Sequence, residues 1–223
     1  MSQVDGKRAC GYRAAELIED GMRVGIGTGS TVFFFIEKLI ERVNGGLNIT
    51  AAFSSIRSKE QAMKGGVPHI TDDLFTKLDI TIDGADEIDP YHNMIKGGGG
   101  ALLREKILAT SSSKMIIIVD ETKEVKALGK AKLPVEICQF AYTATIDKIH
   151  DLGFNGEMRL GDNNSFYVTD GGNFIFDLHT KHEITNSQAL HNQLITLAGV
   201  VETGLFFNLD VKLIVGKKDG TIK

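Results

Sequence analysis

An α/β fold with a Rossmann-like, mostly parallel sheet and helices on both faces is the class this sequence predicts, with a smaller ferredoxin-like α+β domain inserted near the C-terminal end. Three observations predict it. From Lys7 to about Val119 helical and extended patterns alternate, as they do where parallel strands are joined by crossover helices. The runs "KMIIIVD" and "VKLIVG" are continuously apolar through their middles, as strands covered by helices on both faces are. Between these two runs the order of elements changes to β-α-β-β-α-β, the ferredoxin-like split unit. The expected domains are residues 1–128 with 209–223, carrying the parallel sheet, and residues 129–208.

Taken in order, "KRACGYRAAELIEDG" reads as the first helix, stopped by Gly21. "MRVGIG" reads as a short buried strand, "TVFFFIEKLIERV" as a helix with an apolar face, "NITAAF" as a second strand, and "SKEQAMKGG" as a helix closed by its glycines. Phe33, Phe34 and Phe35 fit a core or subunit contact. In "LDITID", Leu78, Ile80 and Ile82 alternate with Asp79, Thr81 and Asp83, which puts Asp83 at the carboxyl end of a strand. The glycine run, the helix "ALLREKILATS" and the strand "KMIIIVD" follow. The second domain is expected to hold an extended run after "LGKAKLPVE", the helix "AYTATIDKIHDLG", a hairpin around "VTDGGNFIFDL", the helix "NSQALHNQLITLAG" and the strand "VVETGLFF". The final "VKLIVG" is expected to return to the first sheet.

Charge and cysteine content narrow the function. A formal net charge of -4 offers no basic field for counterion release, so no nucleic-acid partner is expected. The start lacks the apolar core of a signal peptide, and no apolar run reaches the ~20 residues needed to span a bilayer, so a cytoplasmic protein without a membrane partner is expected. Cys10 and Cys138 stand too far apart for a disulfide framework or a metal cluster and read as structural thiols. His179 and His182 lie three apart in "HTKHE" with no third ligand nearby, so no metal site is expected.

Three segments carry chemistry. "VGIGTGSTVFF" sets glycines, Thr28, Ser30 and Thr31 between a strand and a helix, where hydroxyls and amides at a positively polarised helix start make an anion site. Ser30 stands where G-x-G-x-x-G needs its third glycine, and no Asp or Glu lies between Glu41 and Glu60 to hold a ribose, so a dinucleotide is excluded. A monophosphate is the economical ligand; the competing reading is a tight turn with a Ser or Thr N-cap. "DGADEIDP" crowds Asp83, Asp86, Glu87 and Asp89 after a strand, where ligands of open α/β sheets bind. Proton transfer is expected of Asp83 and Asp86, with Glu87 and Asp89 as the solvated members.

The third segment is "IKGGGGALLREKI". Lys96 supplies a cation, the amides after it can form a nest, and glycines let a substrate oxygen approach the main chain, which together suit an oxyanion. On the helix that follows, Glu105 falls among Leu102, Leu108 and Ala109 at ~100° per residue. A carboxylate so placed is partly desolvated, which raises its pKa toward that of a general base working near neutrality. The competing reading is a surface glutamate beside Arg104 and Lys106.

In this order and spacing, "GIGTGSTV", "DGADEID", "KGGGGALLREKI", "VDETKEV", "LPVE" and "GVVETGLFF" closely resemble the A type of ribose-5-phosphate isomerase over most of the chain. The resemblance implies interconversion of ribose 5-phosphate and ribulose 5-phosphate in the non-oxidative pentose phosphate pathway, without metal or organic cofactor, by a homodimer or homotetramer. It implies Glu105 as the base that moves the C2 proton to C1, with Asp83 and Asp86 assisting ring opening and hydroxyl proton transfer. Lys96 and the amides of Gly97, Gly98 and Gly99 would stabilise the enediolate. Thr28, Gly29, Ser30 and Thr31 would embrace the substrate, Gly84 and Ala85 would line it, and Lys123 and Lys7 would bind it, Lys7 at the phosphate. Ser54, Ser55 and Arg57 receive no role, because the family varies there. The other readings are an amino-sugar-phosphate isomerase/deaminase, a coenzyme A transferase with a glutamate nucleophile, and a sugar-phosphate-sensing module.

Overall fold

Alternation of apolar and amphipathic runs produces, in chain order, α1 (Gln3–Ala15), β1 (Arg23–Ile26), α2 (Ser30–Asn44), β2 (Thr50–Phe53), α3 (Ile56–Lys64), β3 (Ile80–Asp83), β4 (Glu87–Ile88), β5 (Met94–Ile95), α4 (Leu102–Thr110) and β6 (Met115–Asp120). A 3-10 turn, Glu121–Lys123, separates these from β7 (Leu133–Ile137), α5 (Tyr142–Asp151), β8 (Asn155–Met158), β9 (Phe174–His179), α6 (Ser187–Ile195), β10 (Val200–Thr203), β11 (Leu205–Phe206) and β12 (Val211–Gly216). The computed structural model describes residues 2–71, 74–162, 164–180 and 182–223. They divide into two compact units, Met1–Ala85 with Arg104–Glu124 and Leu209–Lys223, and Asp86–Leu103 with Val125–Asn208.

The first unit holds a five-stranded sheet in the order β12-β6-β3-β1-β2, with every neighbouring pair parallel. The expected α/β architecture is therefore present, and β12 closes the sheet beside β6. Parallel strands end together, so Ile26, Phe53, Asp83 and Asp120 deliver their following loops to one edge of the sheet, the edge where open α/β sheets bind ligands. All four positions of β3 are buried, Thr81 and Asp83 included. The alternating pattern of "LDITID" thus does not sort into an inner and an outer face. Thr81 is accommodated because its Oγ1 bonds Ser112 Oγ at 2.6 Å and because Gly25, its register partner on β1, leaves room for it.

Helix ends follow side-chain chemistry. α1 starts earlier than its apolar pattern because the Asp5 carboxylate accepts from the Ser2 N–H at 2.6 Å, satisfying a donor at the helix start. α3 starts at Ile56 because Ser55 Oγ caps it, accepting from Ser58 N at 3.2 Å. α1 and α2 pack so closely that a Cβ at Gly11 would stand 2.8 Å from Phe35 N. Among the described residues no helix is long and apolar enough to cross a membrane.

In the second unit, β7 to β10 form an antiparallel sheet in the order β10-β7-β9-β8, covering a core that includes Val135, Ile149, Phe176, Leu178 and Leu194. The first and third strands of the four lie in the middle, with α5 and α6 as the two connections: the ferredoxin-like arrangement. The run "VVETGLFF", expected as one strand, divides into β10 and β11, and β11 joins a separate small sheet in the order β11-β5-β4, whose two-residue strands β4 and β5 are too short to show a pattern in the sequence.

Glu136 of β7 is 1% exposed and gathers its hydrogen-bond donors from within this unit. It accepts from Thr169 Oγ1 at 2.9 Å and Asn173 Nδ2 at 3.0 Å, and from the backbone N–H of Leu103. Burial pushes its carboxyl above the ordinary value; the three donors pull the other way, and Glu202, its cross-strand partner, adds to the rise.

Two outcomes follow from this packing. Gly11→Ala forces α1 and α2 apart and is expected to cost about 1–3 kcal/mol, read as a lower urea midpoint. For Glu136 the folded-state pKa lies above the unfolded one, so the wild type loses stability as pH rises from the unfolded value near ~4.3 through the folded value. Glu136→Gln cannot ionise, and its stability relative to wild type is expected to improve between pH 4 and pH 8 in urea unfolding.

Candidate active site

At the carboxyl edge of the parallel sheet, Asp83 is 0% exposed. Its Oδ1 accepts from the amides of Gly84 at 2.7 Å and Thr28 at 3.1 Å, so the acidic strand end and the glycine-rich turn after β1 share one carboxylate. Gly27 is required there, because a Cβ would lie 1.9 Å from Asp83 Oδ1. Thr28 Oγ1 is held in turn by Ser54 Oγ at 2.7 Å and Ser55 Oγ at 2.8 Å, and Ser58 Oγ donates to Gly27 O at 2.7 Å. The serine loop, for which no role was expected, is thus the outer support of this turn. Gly84 and Ala85 continue from Asp83 and are half-buried.

The N-cap of α2 is Gly29, with φ +136° and no side-chain cap. The Ser or Thr N-cap anticipated as the alternative is absent here, and the first-turn amides keep their positive polarisation for an external anion. Lys7 Nζ donates to Ser30 Oγ at 2.9 Å, setting a cation at that helix start beside Thr31. Asp120, at the end of β6, is the anchor behind it: its Oδ2 lies 3.8 Å from Lys7 Nζ, and its Oδ1 accepts from Gln3 Nε2 at 2.8 Å and from Thr122 N at 3.1 Å. Burial alone would raise the Asp120 carboxyl, but the Thr122 and Gln3 hydrogen bonds and the Lys7 charge outweigh it and hold it below its ordinary value. The same carboxylate fixes the Glu121–Lys123 turn, on which Lys123 is half-buried. Lys7, Ser30 and the Lys123 turn are therefore gathered around Asp120, which sequence reasoning passed over inside "VDETKEV".

Glu105 lies on α4 and is 3% exposed. The surface-glutamate alternative is overturned. A carboxylate so buried has the desolvated setting a proton-transferring base needs.

In the second unit, Lys96 is 2% exposed; its backbone N–H donates to Gly204 O at 2.9 Å and its Nζ stands 5.3 Å from the Phe206 ring centroid. The glycine loop differs from a row of three open donors. The Gly98 amide donates to Asp86 Oδ2 at 2.7 Å, and a Cβ at Gly98 would lie 2.6 Å from Asp86 Oδ1. Gly97 is buried and Gly99 exposed. On the far edge of the loop, Arg159 Nη1 donates to Gly97 O at 2.8 Å and Gly98 O at 3.1 Å. Tyr167 OH reaches Gly99 O at 3.4 Å, and burial raises its pKa, so it stays a donor.

Glu87 is not solvated as expected. It is buried and accepts from the amides of Gly129, at 2.7 Å, and Ala131. Asp89 is half-buried and folds its own turn, accepting from the amides of Tyr91 and Asn93, each at 2.8 Å. Cys10 is buried, and that burial pushes its thiol up to about 11, which keeps it protonated and inert at neutral pH. Among the described residues no three His, Cys, Asp or Glu side chains converge as a metal-binding set.

The family model for ribose 5-phosphate isomerase A (phosphoriboisomerase A) matches residues 50–220. A relative named ribose-5-phosphate isomerase A from Protochlamydia amoebophila is 48% identical over 220 residues, covering 99% of this chain and 95% of the relative. The solved ribose 5-phosphate isomerase A of Methanocaldococcus jannaschii superposes with a TM-score of 0.92 at 37% identity, covering 100% of this chain and 98% of that one. A D-ribose-5-phosphate isomerase solved in complex with phospho-erythronic acid gives a TM-score of 0.94 at 35% identity, with the same coverage of 100% and 98%. Sequence similarity along nearly the whole length, on a matching fold, means that this chain belongs to the ribose 5-phosphate isomerase A family.

Proposed function

We propose that the chain interconverts D-ribose 5-phosphate and D-ribulose 5-phosphate through a cis-enediolate, with Glu105 as the base. The observation that carries this reading, within the family just established, is the burial of the Glu105 carboxylate on the helix that the glycine loop leads into. The substrate phosphate binds at the open start of α2, where the first-turn amides, Ser30, Thr31 and Lys7 offer donors and positive charge, with Lys123 as a further cation. Thr28 and Gly29 contact the sugar.

Reaction starts with ring opening, for which Asp83 and Asp86 are the carboxylates that exchange hydroxyl protons. Glu105 then removes the proton on C2 of the open-chain aldose. The C2–H electron pair becomes the C1=C2 double bond, and the carbonyl π pair moves onto O1. Lys96 and the Gly99 amide stabilise that charge; the Gly98 amide acts indirectly by orienting Asp86. Proton transfer between O2 and O1 and return of the carried proton from Glu105 to C1 give the ketose. No atom is gained or lost, and no cofactor enters the balance.

Glu105→Gln keeps the side chain's size and shape but removes the base. It is expected to fold and bind ribose 5-phosphate while losing about 10²–10⁴-fold in kcat; full turnover in this variant refutes the assignment. In D2O, wild-type enzyme is expected to form ribulose 5-phosphate with deuterium entering at carbon. Binding without ketose formation or deuterium uptake would mark a sensor instead. Chelator treatment is expected to leave turnover unchanged; reproducible loss, restored by a divalent ion, would refute the cofactor-free mechanism.

A further inference from the structure

The second unit contains an ion pair that the mechanism above leaves unused. Arg159, just after β8, is paired with Asp177 of β9 through two contacts, Nε to Oδ2 at 2.9 Å and Nη2 to Oδ1. The side chains are 16% and 11% exposed. Such a forked pair fixes the plane of the guanidinium. The remaining terminal nitrogen, Nη1, is then presented to the glycine loop, where it donates to the carbonyls of both Gly97 and Gly98.

Those two carbonyls decide where two amides point. There is no cis peptide bond among the described residues, and in a planar trans peptide the N–H lies opposite the preceding C=O. Pulling Gly97 O toward Arg159 turns the Gly98 N–H the other way, where Asp86 Oδ2 receives it at 2.7 Å. Pulling Gly98 O the same way turns the Gly99 N–H outward as well. Tyr167 adds a third constraint at Gly99 O, and Gly100, at φ +83°, has room only for a hydrogen where a Cβ would lie 2.4 Å from the Tyr167 hydroxyl. A glycine run is otherwise free to flip its peptide planes.

We infer that Arg159, held by Asp177, is a positioning residue for the isomerisation: it fixes the Gly99 amide as an oxyanion donor and, through the Gly98 amide, the orientation of the Asp86 carboxylate. The inference rests on the reading given under Proposed function. Arg159 itself touches no reacting atom. Its effect belongs to the charge that develops along the reaction and not to capture of the phosphate, and this separates positioning from simple stapling of the hairpin.

The experiment compares wild type, Arg159→Met and Arg159→Lys by kcat and KM for ribose 5-phosphate, and by competitive inhibition with two probes. Phospho-erythronic acid carries a planar carboxylate resembling the enediolate as well as a phosphate; inorganic phosphate carries the phosphate alone. Arg159→Met is expected to lower kcat by up to ~10²-fold, the scale of a misplaced catalytic geometry, with KM within about 3-fold. Inhibition by phospho-erythronic acid should weaken about 10-fold or more, and inhibition by phosphate should hold within about 3-fold. Arg159→Lys keeps one cationic donor without the fork and should fall between; if Arg159→Met yields no folded protein, a kcat about 10-fold below wild type with the same inhibitor split in Arg159→Lys carries the test. Wild-type kcat and inhibitor affinity in the variants overturn the inference, as does equal weakening of both probes. An active wild type with an inactive Glu105→Gln and a fully active Arg159→Met fails this inference alone, whereas a fully active Glu105→Gln fails the reading beneath it.

Discussion

A carboxylate without access to water must find donors, and the fully buried Asp83 imposes that condition on the sheet edge around it. Desolvating an anion is costly unless hydrogen bonds replace the lost water. Its Oδ1 is satisfied by two backbone amides, one from its own chain direction at Gly84 and one from the turn after β1 at Thr28. That requirement brings the glycine-rich turn after β1 and the acidic strand end together and leaves no space for a side chain at Gly27. It also explains the second ring of hydroxyls, since Thr28 must be held from behind by Ser54 and Ser55 if its amide is to stay on Asp83.

The same rule organises the rest of "DGADEIDP". Asp86 takes the Gly98 amide, Glu87 those of Gly129 and Ala131, and Asp89 those of Tyr91 and Asn93. Four carboxylates spaced over seven residues thus each fix a different stretch of backbone. Hydrogen bonds to charged groups contribute about 1.5–3 kcal/mol each, so an acidic cluster that would repel itself in water becomes the framework of several loops. Asp120 repeats the device mostly with side chains, drawing on Gln3, Lys7 and Thr122, the last through both its hydroxyl and its amide.

Local patterns made the parallel strands, the helices and the split βαββαβ unit legible, because apolar periodicity and burial on a sheet are properties of neighbouring residues. Glu105 was legible for the same reason: Leu102, Leu108 and Ala109 flank it on one turn of helix. The partners of loops were not legible. Glu87 looked solvated beside Asp89 and Pro90, since the amides it meets lie 42 and 44 positions away. Arg159 lies 62 positions from Gly97 in an ordinary charged stretch. Its one hint is Asp177, a lone acid inside the apolar strand "FIFDL", where a buried charge demands a partner.

The glycine quartet shows how such distant partners set local composition. Ordering a glycine costs roughly 0.5–1 kcal/mol more than ordering alanine, and a turn needs only one or two. In this loop both rims of the backbone are occupied, with the carbonyls of Gly97, Gly98 and Gly99 engaged by Arg159 and Tyr167 and the Gly98 amide engaged by Asp86. A side chain at position 98 would collide with the Asp86 carboxylate and one at position 100 with the Tyr167 ring. Glycine is therefore retained by what approaches the chain from two sides. The flexibility that glycine brings is removed by the same contacts that require it, and a loop with the composition of a flexible linker is held as a rigid row of peptide planes.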